Sequence, residues 1–119
     1  MQRFSFTKAD RLLKRSEFLH LYRVGRRTQN SYFIAAYTAG RMERSRLGIT
    51  VSKKVGSAVV RNRIKRLARE YFRQNRQNLG NCWDIHLIAK REAAGLPSSE
   101  IFSSLGSIFS RIKPLHRDI

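Results

Sequence analysis

The sequence has 119 residues, a length that fits one domain with a single hydrophobic core. Its 25 lysines and arginines against 8 aspartates and glutamates give a formal net charge of +17, which favours a polyanionic partner, above all nucleic acid. Because 41% of the residues are hydrophobic, a disordered polybasic tail is excluded, and we interpret residues 1–119 as a single RNA-binding domain.

The sequence gives little support for a membrane-spanning, secreted or disulfide-bonded protein. No apolar run approaches the length of a spanning helix, and residues 1–10 lack the apolar core of a signal peptide. We therefore expect a cytoplasmic protein with no membrane partner. We also expect the protein itself to be monomeric. Cys82 is the single cysteine, so the chain can form neither an internal disulfide nor a cysteine-based zinc cluster.

The first half of the chain predicts one helix and two strands. Ser16 to Gly25 reads as a short helix, with Ser16 capping its first turn and Gly25 placed for a left-handed residue at its end. The runs from Tyr32 to Thr38 and from Leu47 to Ser52 are rich in aromatic and β-branched residues, and a polar segment separates them. This pattern predicts a hairpin of two antiparallel strands.

The second half predicts helix, strand and helix. From Val59 to about Asn78 apolar residues recur at helical spacing, and Trp83 to Ala89 alternates with the period of a half-buried strand. Pro97 opens a last helix that closes before Pro114. The order α-β-β-α-β-α indicates an α+β two-layer sandwich with a small sheet, because each helix has one apolar stripe to bury.

The helix that starts near Val59 carries a row of cations opposite its apolar stripe. Glu70 is the only acid in the segment, whereas solvated helix faces usually mix acids with bases to gain stability. Planar guanidiniums suit phosphate oxygens, so the pattern predicts phosphate binding. Two preceding lysines, Lys53 and Lys54, can approach the same anion at the helix N-terminus. The residues of this face are Asn62, Lys65, Arg66, Arg69, Arg73 and Arg76, flanked by Arg61 and Arg63.

Catalytic groups are not arranged at any recognisable spacing. The 8 acids are scattered singly, the 3 histidines are isolated, and no metal-ligand pattern, phosphate loop or local nucleophile signature occurs. We predict neither a catalytic residue nor a metal site. Aromatic side chains are the remaining candidates for contact with unpaired bases, although core packing explains any one of them at least as well. They are Phe18, Tyr22, Tyr32, Phe33 and Tyr37.

Residues Ser57–Glu70 resemble the Arg-Asn-Arg signature of the bacterial ribonuclease P protein subunit. The resemblance continues upstream through Arg46–Lys54 to Phe18 and Tyr22, and downstream through Asp84–Arg91, so it covers most of the chain. It implies an endonuclease that removes the 5′ leader from precursor tRNA, in which a large RNA subunit with bound Mg²⁺ is the catalyst and the protein assists.

The resemblance also assigns roles to individual residues. The protein would lower the Mg²⁺ requirement and favour precursor over mature tRNA, with one or more copies in the holoenzyme. Phe18, Tyr22 and Tyr32 would line a cleft for the single-stranded leader, where Ala36 stands at a position that is aromatic in some relatives. A small mixed sheet with a left-handed β-α-β crossover is implied, although connections between parallel strands are usually right-handed. The residues implied to contact the catalytic RNA are Arg61, Asn62, Arg63, Lys65, Arg66, Arg69, Lys53 and Lys54.

Three other functions share parts of this pattern. A ribosomal protein or general RNA chaperone would have the same charge and core without a leader cleft. An autonomous nuclease would need acidic ligands or a general base, for which no convincing set is found. A sequence-specific DNA-binding protein could place the basic helix in a major groove.

Overall fold

Three α-helices and four β-strands make up the described part of the chain, which in this computed structural model comprises residues 8–11, 14–40, 43–80 and 82–112. Pro114, expected just beyond the last helix, lies outside these residues. The elements are α1 (Arg15–Val24), β1 (Arg26–Gln29), β2 (Phe33–Ala39), β3 (Arg46–Thr50), α2 (Ala58–Asn75), β4 (Trp83–Ala89) and α3 (Ser98–Phe109).

The four strands form one mixed sheet in the order β1-β2-β4-β3. β2 pairs antiparallel with β1 and β4, while β3 pairs parallel with β4. The predicted α+β class and small mixed sheet are confirmed. The β3-α2-β4 connection joins neighbouring parallel strands, as the resemblance implies; the hand of that crossover stays a prediction.

The predicted hairpin between β2 and β3 is wrong, because β4 lies between them. β4 is the most deeply buried strand, with Ile85 and Leu87 fully buried, so a central position satisfies its backbone on both edges. The actual hairpin joins β1 to β2. Sequence patterning missed β1 because its residues, Arg26-Arg27-Thr28-Gln29, are polar and occupy an edge of the sheet.

The hydrophobic core lies between one face of the sheet and helices α2 and α3. Alternate residues of β2 and β4 point into it, as the strand period requires. Each fully buried leucine, isoleucine or phenylalanine contributes about 1.5–3 kcal/mol of hydrophobic stabilisation. Members of this core include Phe33, Ala35, Tyr37, Trp83, Ile85, Leu87, Ile64, Ala68, Phe72, Ile101, Leu105 and Ile108.

Helix α1 lies on the opposite face of the sheet, where it buries Leu21. Both predicted caps of this helix are wrong. Ser16 falls inside the first turn, and the Lys14 backbone N–H donates to the Glu17 carboxylate at 3.2 Å instead. Gly25 has φ −74° and not a left-handed conformation. A glycine is needed because a Cβ atom there would lie 2.5 Å from the Leu21 carbonyl oxygen.

Candidate RNA interface

The outer face of α2 presents two cations, Lys65 and Arg66, that form no ion pair with the described residues. Ser57 caps the helix by accepting a hydrogen bond from the Val60 N–H, and the buried stripe on Ile64, Ala68 and Phe72 turns the basic positions outward. Arg66 is exposed and Lys65 half-buried. Neither side chain has a hydrogen-bonding partner among the residues that the structure describes. These two cations are therefore available to an external anion.

Arg69 extends this surface toward the N-terminal segment. Partial burial, together with the positive charge of Arg11, lowers the pKa of the Arg69 guanidinium. A cation placed beside another cation costs free energy in the isolated protein, and a phosphate between them would remove that cost. We call Lys53, Lys54, Asn62, Lys65, Arg66 and Arg69 the α2 cationic surface; Lys53, Lys54 and Asn62 are exposed.

Arg61 and Arg63 of the signature are half-buried and also serve the fold. The Arg61 Nε donates to the Gly56 carbonyl oxygen at 3.2 Å, which closes the turn before α2. A terminal nitrogen of Arg63 donates to the Leu96 carbonyl oxygen at 2.9 Å and so ties α2 to the start of α3. Each guanidinium keeps further N–H donors that can face phosphate, but its removal would also disturb the protein.

The C-terminal end of the predicted cationic row is neutralised by ion pairs. Arg73 binds Glu70, and its hydrogen bond lowers the pKa of that carboxyl. Arg76 and Arg44 each lie 2.7 Å from Asp10, whose side chain is fully buried. The helical pattern placed Arg73 and Arg76 on the phosphate-binding face. In the structure Arg73 pairs with Glu70 one turn earlier in α2, and Arg76 links the end of this helix to Asp10 near the N-terminus.

An open apolar cleft of about 620 Å³ lies between α1 and the sheet. Phe18 and Tyr22 line it, as the resemblance implies, and Ala36 forms part of its floor. We call this cavity the α1 cleft; its lining residues are Arg15, Phe18, Leu19, Tyr22, Arg27, Ile34, Ala36, Thr50, His86 and Ile88.

Tyr32 does not line the α1 cleft. It borders a separate cavity of about 240 Å³ beside α3 and packs against the core. It precedes β2, where the Asn30 side-chain oxygen accepts hydrogen bonds from the Tyr32 and Phe33 N–H groups at 2.9 Å. This turn breaks the strand alternation that would have carried the ring to the cleft face.

His86 lies on the cleft floor, a position that sequence reasoning missed because the residue is isolated in the chain. It pairs in register with Ala36 on β2 and Gly48 on β3. Its ring centroid lies 4.5 Å from that of Phe18, and its Nε2 is 2.8 Å from the Thr50 hydroxyl oxygen. The strand period could have placed it, because His86 alternates with the buried residues Ile85 and Leu87 and therefore lies on the other face of the sheet.

Burial lowers the pKa of the His86 imidazole, so the stability of the folded protein is expected to decrease in acid. The unfolded chain then binds a proton more readily than the folded one, so the free energy of unfolding decreases as the pH falls through about 6.5. We expect the urea midpoint to fall less between pH 7 and pH 5 in His86→Gln than in the native protein. Equal falls in both proteins would contradict this assignment.

A charged cluster beside the cleft fixes α1 to the sheet. Arg46 of β3 binds both carboxylate oxygens of Asp84 on β4, at 3.1 and 2.9 Å. It also binds Glu17 of α1 at 2.8 Å, and these hydrogen bonds raise the pKa of Arg46. Three elements distant in sequence therefore meet at one guanidinium, which positions Phe18 and Tyr22 over the sheet.

Metal-binding clusters and membrane-spanning helices are absent from the described residues, 8–11, 14–40, 43–80 and 82–112. These residues contain no group of three or more histidine, cysteine, aspartate and glutamate side chains that could hold a metal ion. None of their helices is long and apolar enough to cross a membrane.

A basic helix face and an aromatic-lined cleft on a small mixed sheet define an RNA-binding α+β protein. The Ribonuclease P family matches residues 6–113. The ribonuclease P protein component of Desulfosudis oleivorans is 52% identical over 93% of this chain and 92% of its own length, and that of Desulforapulum autotrophicum is 49% identical over 94% and 96%. The Staphylococcus aureus RNase P protein structure has a TM-score of 0.82 at 35% identity, covering 87% of this chain and 94% of that one.

The chain belongs to the ribonuclease P protein component family. It is thus a subunit of the ribonucleoprotein endonuclease of tRNA processing, and ribonuclease P RNA is its partner. The RNA subunit carries the catalytic centre in this family.

Proposed function

We propose that the chain holds the catalytic RNA on the α2 cationic surface and the single-stranded 5′ leader of precursor tRNA in the α1 cleft. The enzyme would thereby bind precursor more tightly than mature tRNA, because only the precursor has a leader. The reaction would require less Mg²⁺, which the RNA subunit mainly holds, and would take place in the bacterial cytoplasm, where precursor tRNA is made.

The α1 cleft is the observation that carries the leader proposal. Its walls combine aromatic rings, Phe18 and Tyr22, with aliphatic side chains, and the cation of Arg15 borders it. Single-stranded RNA is bound by this combination, since bases stack on rings while cations meet the backbone phosphates. Paired RNA does not offer its base faces in this way, so the cleft favours the leader over the tRNA body.

The α2 cationic surface supports the second half of the proposal. Precursor tRNA and catalytic RNA repel each other, and protein cations placed near their phosphates reduce that repulsion. Divalent ions screen the same charges, so the protein's cations would replace part of the Mg²⁺ needed for binding. A ribosomal protein or RNA chaperone has no comparable need for the α1 cleft.

The test is cleavage of precursor tRNA at low Mg²⁺ by a bacterial ribonuclease P RNA, by this protein, and by both. We expect activity only with both, and an affinity that falls as the leader is shortened while mature tRNA binding is unchanged. Tight RNA binding without rescue would favour the chaperone or ribosomal function. Rescue that does not depend on leader length would remove the leader from the proposal.

A further inference from the structure

Arg27 holds the most exposed aromatic ring of the α1 cleft. Tyr22 is 69% exposed, and the Arg27 guanidinium carbon lies 4.5 Å from the centre of its ring. The same guanidinium donates a hydrogen bond to the Tyr22 backbone carbonyl oxygen at 3.3 Å. One side chain thus contacts both ends of Tyr22, its ring and its backbone.

The fold places Arg27 there for identifiable reasons. Tyr22 lies in the last turn of α1, where carbonyl oxygens lack helical partners and the helix dipole attracts cations. β1 begins one residue after Gly25, and Arg27 pairs in register with Ala36 of the cleft floor. The alternation of the strand therefore turns Arg27 to the cleft side, while its neighbour Arg26 points to the other face.

We propose that Arg27 is a positioning residue that holds Tyr22 as a platform on which an unpaired base of the leader stacks. This inference rests on the proposed function of the α1 cleft. An exposed tyrosine samples several rotamers, and a guanidinium on one side of its ring restricts them before RNA binds. Most of the ring surface stays open, so a base can stack without displacing the arginine.

Direct contact with a leader phosphate is the competing role for Arg27. The two roles differ in whether the effect of Arg27 depends on Tyr22. A positioning residue acts through Tyr22, so its removal has no further effect once Tyr22 is alanine. A phosphate ligand acts independently of Tyr22, and its removal reduces the log-log salt slope of precursor binding by about 0.7.

The experiment uses the holoenzyme with native protein, Arg27→Ala, Tyr22→Ala and the double variant. Precursor tRNAs carrying a fluorescent adenine analogue at successive leader positions report stacking. We expect Arg27→Ala to weaken precursor binding about two- to five-fold, the size of an exposed cation–π contact, with KM raised, kcat unchanged and mature tRNA unaffected. Fluorescence quenching at one leader position should decrease in Arg27→Ala and disappear in Tyr22→Ala.

Arg26→Ala is the matched control, because it removes the same charge from the adjacent residue on the other strand face. It should leave precursor binding and quenching unchanged. Equal reductions in binding from Arg27→Ala in the native and Tyr22→Ala backgrounds, or a reduced salt slope, would overturn the positioning role. If Tyr22→Ala itself left precursor binding unchanged, the leader function of the cleft would fail instead.

Discussion

Replacement of both Lys65 and Arg66 by alanine is expected to weaken assembly with the catalytic RNA by about 10- to 100-fold at physiological salt. Arg66 is exposed and Lys65 is half-buried on the outer face of α2, and neither side chain binds another described residue. The change is therefore expected to affect phosphate binding and not the fold. Measured over a range of salt concentrations, the log-log slope should decrease by about 0.7 to 0.9 for each phosphate that is no longer bound.

The double variant Arg26→Ala with Arg91→Ala is the matched control, because it removes two charges from exposed positions outside the α2 cationic surface. It should change assembly far less. Comparable weakening in both variants would mean that net charge, and not this surface, governs binding. Arg61 and Arg63 are poorer targets, because they donate hydrogen bonds to Gly56 and Leu96. Their replacement would change the stability of the fold and RNA binding together.

Arg46→Ala is expected to lower the free energy of unfolding by about 2–4 kcal/mol. Asp84 and Glu17 would lose the guanidinium that joins them, and Asp84 is buried. For a domain of this size such a change lowers Tm by roughly 8–16 °C. Thermal and urea unfolding of the isolated protein would measure it.

Arg44→Ala provides the comparison, because its partner Asp10 keeps the ion pair with Arg76. Its effect on stability should be clearly smaller. Since Arg46 fixes α1 over the sheet, Arg46→Ala should also weaken precursor binding more than mature tRNA binding. A destabilisation no larger than that of Arg44→Ala would contradict a structural role for the Arg46 cluster.

The basic helix was predictable because the helical period relates sequence directly to faces. Once Ile64 and Ala68 are assigned to the core, Arg66 must point away from them. β4 has the bounds that its alternation predicts, and α2 is continued by a short 3-10 turn at Arg76–Leu79 near the predicted end. Charge and local periodicity therefore determined the class of partner and the face of α2 on which the outward-facing cations lie.

Tertiary structure alone decided which strands and side chains became neighbours. The insertion of β4 between β2 and β3, the ring contact of Phe18 with His86 and the meeting of Arg46 with Glu17 and Asp84 all join distant segments. Tyr32 was assigned to the cleft from the resemblance, but a turn held by Asn30 places it beside α3. Periodicity states which way a residue faces within its own element, whereas long-range pairing determines what it faces.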